Sequence, residues 1–215
     1  MNNDFLLRIK DATLCLLVAN KYNILLGRLE IQKIIYLMDN MSVYLFILSG
    51  KKGHQTYFFG PYDKNIQNAL DALTIRDIAE TKNTKIINKA ITCDYTLTES
   101  GLAWANNMLD GSRTIHHRAK IADGVIHSLV KRNLTHKVKE LVYAEPVYVN
   151  ARDHGYYYDL GIDNDNNGHS YLALVEYYLR TNHNQIDIDF ATDMYIDYLS
   201  TRNEILAGNL TAGGN

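Results

Sequence analysis

The chain is poor in cysteine, proline and tryptophan, with two, two and one of these residues among 215. Two cysteines, Cys15 and Cys93, are too few for a disulfide framework and favour a reducing compartment. The scarcity of proline and glycine favours long uninterrupted helices. No apolar run approaches the roughly 18 residues that cross a bilayer, and the N-terminus lacks the basic segment of a signal peptide. These absences predict a soluble cytoplasmic protein.

An excess of charge of either sign is also missing. The chain has 22 Lys+Arg and 24 Asp+Glu, and 47% of its residues are hydrophobic, which excludes disorder as the main state. The balance hides an asymmetry, because residues 111–145 hold 7 basic and 3 acidic side chains whereas residues 146–215 hold 3 and 10. A basic segment attracts phosphates and an acidic tail repels them, although both can also be ordinary solvated helix faces.

Apolar residues recur at helical spacing in most of the chain. They predict helices over residues 4–21, 28–48, 64–75, 114–131, 170–181 and 189–207, with residues 147–169 irregular. Two further helices are predicted to be capped by Thr98 and by Thr135. Residues 43–48 fit either a buried helix end or a strand. Residues 55–59 are strand-like, and residues 85–91 and 93–97 look like the arms of a hairpin.

The helix over residues 64–75 has the clearest start signal. Gly60-Pro61-Tyr62 turns the chain, and the Asp63 carboxylate is suited to cap the first turn. One face of this helix carries the apolar side chains Ile66, Ala69, Leu70 and Leu73. The turn either aims a recognition helix or is simply a well-made helix start.

The predicted order is helix, helix, strand, capped helix, hairpin, helix, which is the plan of a winged helix. The fold class is therefore mainly α with a small β-hairpin (α+β). We expect a winged-helix-like domain over residues 1–110 and a helical C-terminal part over residues 111–215 that packs on it.

The helix before the wing usually enters the major groove in DNA-binding members of this fold. Its outward polar side chains could read bases, and three wing lysines could contact phosphates. The candidate nucleic-acid-binding residues are Lys64, Asn65, Gln67, Asn68, Lys82, Lys85 and Lys89. Against DNA binding, Asp71 shares the exposed face and residues 1–110 are nearly neutral, whereas DNA binders usually carry a basic stripe.

Tyrosine is abundant, with 16 residues, ten of them in the last third of the chain. Tyrosine suits interfaces because its ring is apolar and its hydroxyl is polar. Three successive rings must point in different directions, so Tyr156, Tyr157 and Tyr158 are candidates for partner binding. The competing interpretation is a tyrosine-rich core.

Signals for metal or catalytic sites are weak. Asp163, Asp165 and Asn167 resemble the start of a calcium loop, but Leu174 stands where the bidentate glutamate belongs, so a polar loop fits equally well. Glu80-Thr81-Lys82 has the spacing of some nucleases but follows a helix in a charged loop. Four histidines of the basic segment lack partners at zinc-ligand spacing: His116, His117, His127 and His136. We therefore predict no catalytic residues, no cofactor and no metal.

Several segments together resemble one prokaryotic family. The segments are Ile31-Gln-Lys-Ile-Ile-Tyr-Leu-Met38, Tyr57-Phe-Phe-Gly-Pro-Tyr-Asp63, Tyr95-Thr-Leu-Thr-Glu-Ser-Gly101 and Val138-Lys-Glu-Leu-Val-Tyr143. In this pattern the chain is similar to YwgA-like and Panacea (SocA-like) domains over about residues 25–145. The resemblance implies a helical winged-helix-like fold and a role as an antitoxin, a proteolysis adaptor or a defence component. It implies binding of a protein or of DNA, and no catalytic residues.

Three hypotheses follow from the sequence. The first is a non-enzymatic interaction protein, antitoxin-like or associated with antiviral defence, that binds a toxin or defence effector through its acidic, tyrosine-rich C-terminal third. The second is a sequence-specific DNA-binding regulator, and the third is a small metal-dependent enzyme. The sequence leaves the partner and the oligomeric state open.

Overall fold

A computed structural model describes residues 3–45, 53–87, 90–160 and 187–208, with only the backbone at residues 43 and 44. The described elements confirm a mainly α fold with a small antiparallel sheet. In chain order they are α1 (Asn3–Lys21), β1 (Leu26–Gly27), α2 (Arg28–Tyr44), α3 (Lys64–Ile75), β2 (Ala79–Ile87), β3 (Ala90–Leu97), α4 (Glu99–Asp110), α5 (Arg113–Lys131), a 3-10 turn (Thr135–Lys137), α6 (Val138–Tyr143), α7 (Pro146–Arg152) and α8 (Ile188–Leu206).

The sheet has the strand order β1-β3-β2, with both pairings antiparallel. Leu26 of β1 pairs with Tyr95, and Ala79 of β2 pairs with Leu97 at the base of the hairpin. The register shifts between Lys82 and Lys85, where Asn83 has a φ of 50°. Helices α1 to α3 and this hairpin follow the winged-helix plan that the sequence predicts, and we call β2 and β3 the wing.

Two strand predictions are wrong. Residues 55–59 form no strand, because Gly60-Pro61 turns the chain back and Gln55 makes only isolated bridges to Tyr62 and Asp159. The third strand is instead Leu26–Gly27. The first arm of the hairpin is Ala79–Ile87 rather than residues 85–91, and it shows no apolar alternation because its side chains from Thr81 onward are exposed.

Helix starts at two cap residues are confirmed. Asp63 accepts a hydrogen bond from the Asn65 amide at 2.8 Å, and Thr98 accepts one from the Gly101 amide at 3.0 Å. Thr135, by contrast, is not a cap but the buried first residue of a 3-10 turn. Part of the segment expected to be irregular is α7, which starts at Pro146 with the Glu145 carboxylate accepting from the Tyr148 amide. The predictions for residues 46–48 and 170–181 lie outside the described residues.

One apolar core runs through the described residues of both halves of the chain. Helix α5 packs against α1, α2 and α8, so it joins the N-terminal helices to the last described helix. The face of α3 predicted to be apolar, Ile66, Ala69, Leu70 and Leu73, lies in this core. The boundary at residue 110 stays a prediction.

A buried ionic cluster joins α1, α2 and α5. Arg118 of α5 donates from Nε to Asp11 at 2.8 Å, from Nη1 to the Met38 carbonyl at 2.7 Å, and from Nη2 to Asp39. Arg8 of α1 donates to Asp39 at 2.7 Å and to Asp63, next to α3, at 2.6 Å. Burial alone would lower the pKa of Arg8, but the charges of these carboxylates raise it above its ordinary value. We call the five charged residues Arg8, Asp11, Asp39, Asp63 and Arg118 the ionic cluster.

Candidate functional site

Helix α2 carries a row of buried polar side chains that sequence reasoning did not single out. Gln32, Lys33, Tyr36, Asp39 and Asn40 are each at most 3% exposed. Because α2 is buried on nearly every side, its polar residues lie inside the protein rather than on a solvent face. The signal in the sequence that could have identified them is that these polar residues interrupt an otherwise apolar helix. Each therefore needs an internal partner.

Two of these side chains hold the loop of residues 57–62, which we call the aromatic loop. The Gln32 side-chain amide donates to the Asp63 carbonyl at 2.9 Å and accepts from the Asp63 amide at 3.0 Å. Lys33 Nζ donates to the Pro61 carbonyl at 2.6 Å. These contacts bring together two of the segments that carry the family resemblance, Ile31–Met38 and Tyr57–Asp63.

Gly60 is the residue that lets the aromatic loop lie so close to α2. Its φ is +89°, a conformation that favours glycine. A Cβ at this position would lie 2.9 Å from Cε1 of Tyr143 and 3.2 Å from Nζ of Lys33. The loop therefore has one tightly determined path, and its outer side chains have defined positions.

Those outer side chains form an exposed aromatic patch, Phe58, Phe59, Tyr156 and Tyr157. Phe58 and Phe59 are 62% and 57% exposed, although phenylalanine is usually buried. The Phe58 ring lies 4.1 Å from the Tyr156 ring, measured between centroids. The Tyr157 amide donates to the Thr56 carbonyl, and the Tyr158 carbonyl accepts from the Thr56 amide, so these bonds hold the tyrosine segment beside the loop. Exposed contiguous apolar surface of this kind marks interaction sites.

A cleft of about 690 Å³ lies between the aromatic loop, the N-terminal part of α2 and the wing. Tyr57 and Phe59 line it from the loop, Leu29 from α2, and Ile87 and Ile91 from the wing. This volume is in the range of specific ligand pockets, roughly 300–1,000 Å³. The far edge of the cleft is unusually apolar, because the isoleucines of the wing tip, Ile86, Ile87 and Ile91, are all more than half exposed.

Lys33 is the most buried cation that lines the cleft. Burial and, second, the positive charge of Lys139 lower its pKa to about 7. Lys139 itself lies over the rings of Phe59 and Tyr143, with Nζ 5.3 Å from each centroid. The cleft therefore combines apolar walls with one buried amine, an arrangement that can bind an apolar group carrying an anion.

The structure places the described candidate nucleic-acid-binding residues on α3 and on the wing, and two of them, Gln67 and Lys82, contact carboxylates. Lys64 and Asn68 are exposed on α3, and Asn65 is half-buried. The Gln67 side chain donates to both Asp71 oxygens at 3.1 Å, and Arg28 also pairs with Asp71 at 3.2 Å. Lys82 pairs with Glu80 at 2.9 Å, and Lys85 lines the cleft. Lys89 lies outside the described residues.

The structure shows Tyr156, Tyr157 and Tyr158 exposed, so these three residues are not part of the core that the competing interpretation proposed. Tyr158 stacks on His154 with ring centroids 4.4 Å apart. Their role in binding a partner stays a prediction.

The described residues contain no group of three or more His, Cys, Asp or Glu side chains that could hold a metal ion. The calcium candidates Asp163, Asp165 and Asn167 lie outside those residues. Glu80 and Lys82 pair with each other on an exposed strand. Within the part of the chain that the structure describes, no helix is long and apolar enough to cross a membrane.

In comparison with known proteins, no family model and no curated protein matches the chain. The resemblance to YwgA-like and Panacea domains accordingly stays a prediction from motifs.

Proposed function

We propose that this chain is a winged-helix interaction protein that binds a partner protein through the cleft and the aromatic patch beside it. The observation that carries the proposal is the exposure of large apolar side chains from separate elements around one concave surface. Phe58 and Phe59 come from the aromatic loop, and Ile87 and Ile91 come from the wing. Aromatic residues around a pocket are typical of the energetically dominant part of a protein interface.

The chemistry of the wing favours protein over DNA as the partner. A wing that contacts DNA lies on phosphates and carries basic side chains at its tip. Here Ile86, Ile87 and Ile91 are exposed near the described end of the wing. Lys82 is paired with Glu80 on the same strand, which leaves Lys85 as the unpaired lysine of the described wing residues. On α3, the side-chain amide of Gln67, a candidate for base contacts, already donates to the Asp71 carboxylate. An exposed carboxylate at that position would repel phosphate.

The family resemblance supports the biological role. Because YwgA-like and Panacea domains occur as antitoxins, adaptors and defence components, we propose that the partner is a toxin or a defence effector in a prokaryotic cell. The second candidate function, DNA-binding regulation, uses Lys64, Asn65, Gln67, Asn68, Lys82, Lys85 and Lys89.

The first experiment compares three tagged versions of the chain in its source cell: wild type, a Phe59→Ser/Ile91→Ser variant, and Ile75→Ser. Ile75 is 85% exposed at the end of α3 and does not line the cleft, so it is the matched control. We expect one partner protein to copurify with wild type and Ile75→Ser and to fall at least tenfold in the cleft variant, because interface aromatics commonly contribute about 2 kcal/mol or more. Equal recovery from all three versions contradicts the proposal.

A mobility-shift assay at about 50 mM salt tests the DNA alternative, because the phosphate contribution is strong there. We expect no shift with DNA from the chain's own genomic neighbourhood. A shift that Gln67→Ala makes less sequence-selective and Lys85→Ala weakens would establish the regulator instead.

A further inference from the structure

Lys33 differs from the other buried cations of the described residues in having no carboxylate beside it. Arg8 and Arg118 each contact two or more aspartates of the ionic cluster. Lys33 is 2% exposed, and the Pro61 carbonyl is the acceptor that the structure gives it among the described residues. An ammonium group has three donors, and a buried charge is costly unless it is paired. Among the described residues, no carboxylate compensates the ammonium form of Lys33.

The surroundings of Lys33 add positive rather than negative charge. Besides burial, the positive charge of Lys139 of α6 lowers the pKa of Lys33, and no carboxylate in the part of the chain that the structure describes counteracts this effect. Of the two acidic residues that line the cleft, Asp94 accepts from Asn83 at 2.8 Å, and Glu30 lies 3.8 Å from Nδ1 of His136. Two basic groups also line it, namely Lys85 and Arg28, which is bonded to Asp71 and to the Tyr95 hydroxyl.

We propose that the cleft selects a partner segment in which one acidic side chain is flanked by apolar residues, with the acid pairing with Lys33 and the flanks covering Phe59 and Ile91. The proposal rests on the proposed function and specifies the chemistry of the partner. The depth of Lys33 favours an aspartate or glutamate side chain over a chain terminus, because a side chain reaches inward while its backbone stays at the mouth. Apolar flanks exclude water from the ion pair and so strengthen it.

The test uses two synthetic probes, N-acetyl-Phe-Glu-Phe-amide and its isosteric control N-acetyl-Phe-Gln-Phe-amide. Binding is followed by NMR of the full-length protein with 13C-labelled lysine, because the Lys33 Cε signal reports the protonation of its amine. We expect the glutamate probe to bind about tenfold more tightly than the glutamine probe at pH 6. Because only the ammonium form pairs with the acid and the pKa of free Lys33 is about 7, we expect less than a twofold difference at pH 9.

Two variants separate a direct role of Lys33 from a structural one. Lys33→Met should bind both probes equally at every pH, and its thermal unfolding shows whether the fold is intact. Lys139→Gln removes the neighbouring charge that lowers the pKa of Lys33, so it should keep the preference for glutamate and extend it to higher pH. A merely structural lysine would show no such extension.

Three outcomes overturn the inference: equal binding of both probes, a preference that Lys33→Met retains, and the absence of any shift of the Lys33 signal. A third probe, N-acetyl-Phe-Gln-Phe with a free C-terminus, identifies a chain-end site if it alone binds tightly, and this result also overturns the inference. None of these outcomes touches the proposed function, which is tested separately by copurification with the Phe59→Ser/Ile91→Ser variant.

Discussion

Arg118→Met lowers the free energy of unfolding by about 3–5 kcal/mol, the largest effect we expect from a single substitution outside the apolar core. Arg118 places its guanidinium between α1 and α2, where it donates to Asp11, to Asp39 and to the Met38 carbonyl. Methionine fills part of the space but removes the donors of Arg118 from these buried acceptors. The loss exceeds that of a surface ion pair because both carboxylates are 0% exposed.

Urea denaturation followed by circular dichroism at pH 7 measures this loss. Lys120→Met is the matched control, since Lys120 is exposed two residues along the same helix and should change stability by less than about 0.5 kcal/mol. A loss below about 1 kcal/mol for Arg118→Met would show that the ionic cluster does not join α5 to the winged-helix-like part.

Lys33→Met, in contrast, should raise the free energy of unfolding, and the size of this increase should depend on pH. The pKa of Lys33 falls from 10.5 to about 7 on burial in the folded chain, so the unfolded chain holds its proton more tightly. Above about pH 10.5 Lys33 is neutral in both states and does not disfavour folding. As the pH falls towards 7, protonation of Lys33 in the unfolded chain lowers the free energy of unfolding of the wild type. Methionine does not titrate. The stability difference, variant minus wild type, should rise by about 3 kcal/mol between pH 10 and pH 7 and then level off.

Denaturation at several pH values checks this prediction, with the difference between the two proteins removing contributions from groups they share. Lys85→Met serves as the control, because Lys85 is an exposed lysine of the wing and its variant should track wild type. A difference that stays constant between pH 10 and pH 7 would mean that burial does not disfavour the Lys33 ammonium. It would contradict the claim that this charge lacks a compensating carboxylate in the cleft.

Most of the described helices could be predicted from the sequence because they carry a local signal, whereas α7 lies in a segment predicted to be irregular. Asp63 and Thr98 mark helix starts through cap chemistry that involves two or three neighbouring residues. The wing was harder to delimit, because β2 buries little beyond Ala79 and its pattern contains no alternation. Strand β1 consists of Leu26 and Gly27 alone and exists only because β3 pairs with it, so no local pattern could predict it.

The cleft could not be predicted for a different reason. Gln32, Lys33 and Asp39 resemble the polar face of an amphipathic helix until the long-range partners are known. Those partners lie 15 to 79 residues away: Pro61, Asp63, His54 and Arg118. For Tyr156, Tyr157 and Tyr158 the sequence left an exposed segment and a tyrosine-rich core as alternatives, and the structure shows all three exposed. The packing of Tyr156 on Phe58 depends on the chain returning to the aromatic loop, which no local pattern shows.

The most direct test of the central claim places a photo-crosslinking phenylalanine analogue at Phe59, at Ile75 and at Asn68 in turn, followed by irradiation of the source cell. The account predicts that the analogue at Phe59 forms an adduct with one protein and that the control at Ile75 forms none. An adduct of Asn68 with DNA, together with no protein adduct from Phe59, would contradict the account and assign function to α3 instead of the cleft.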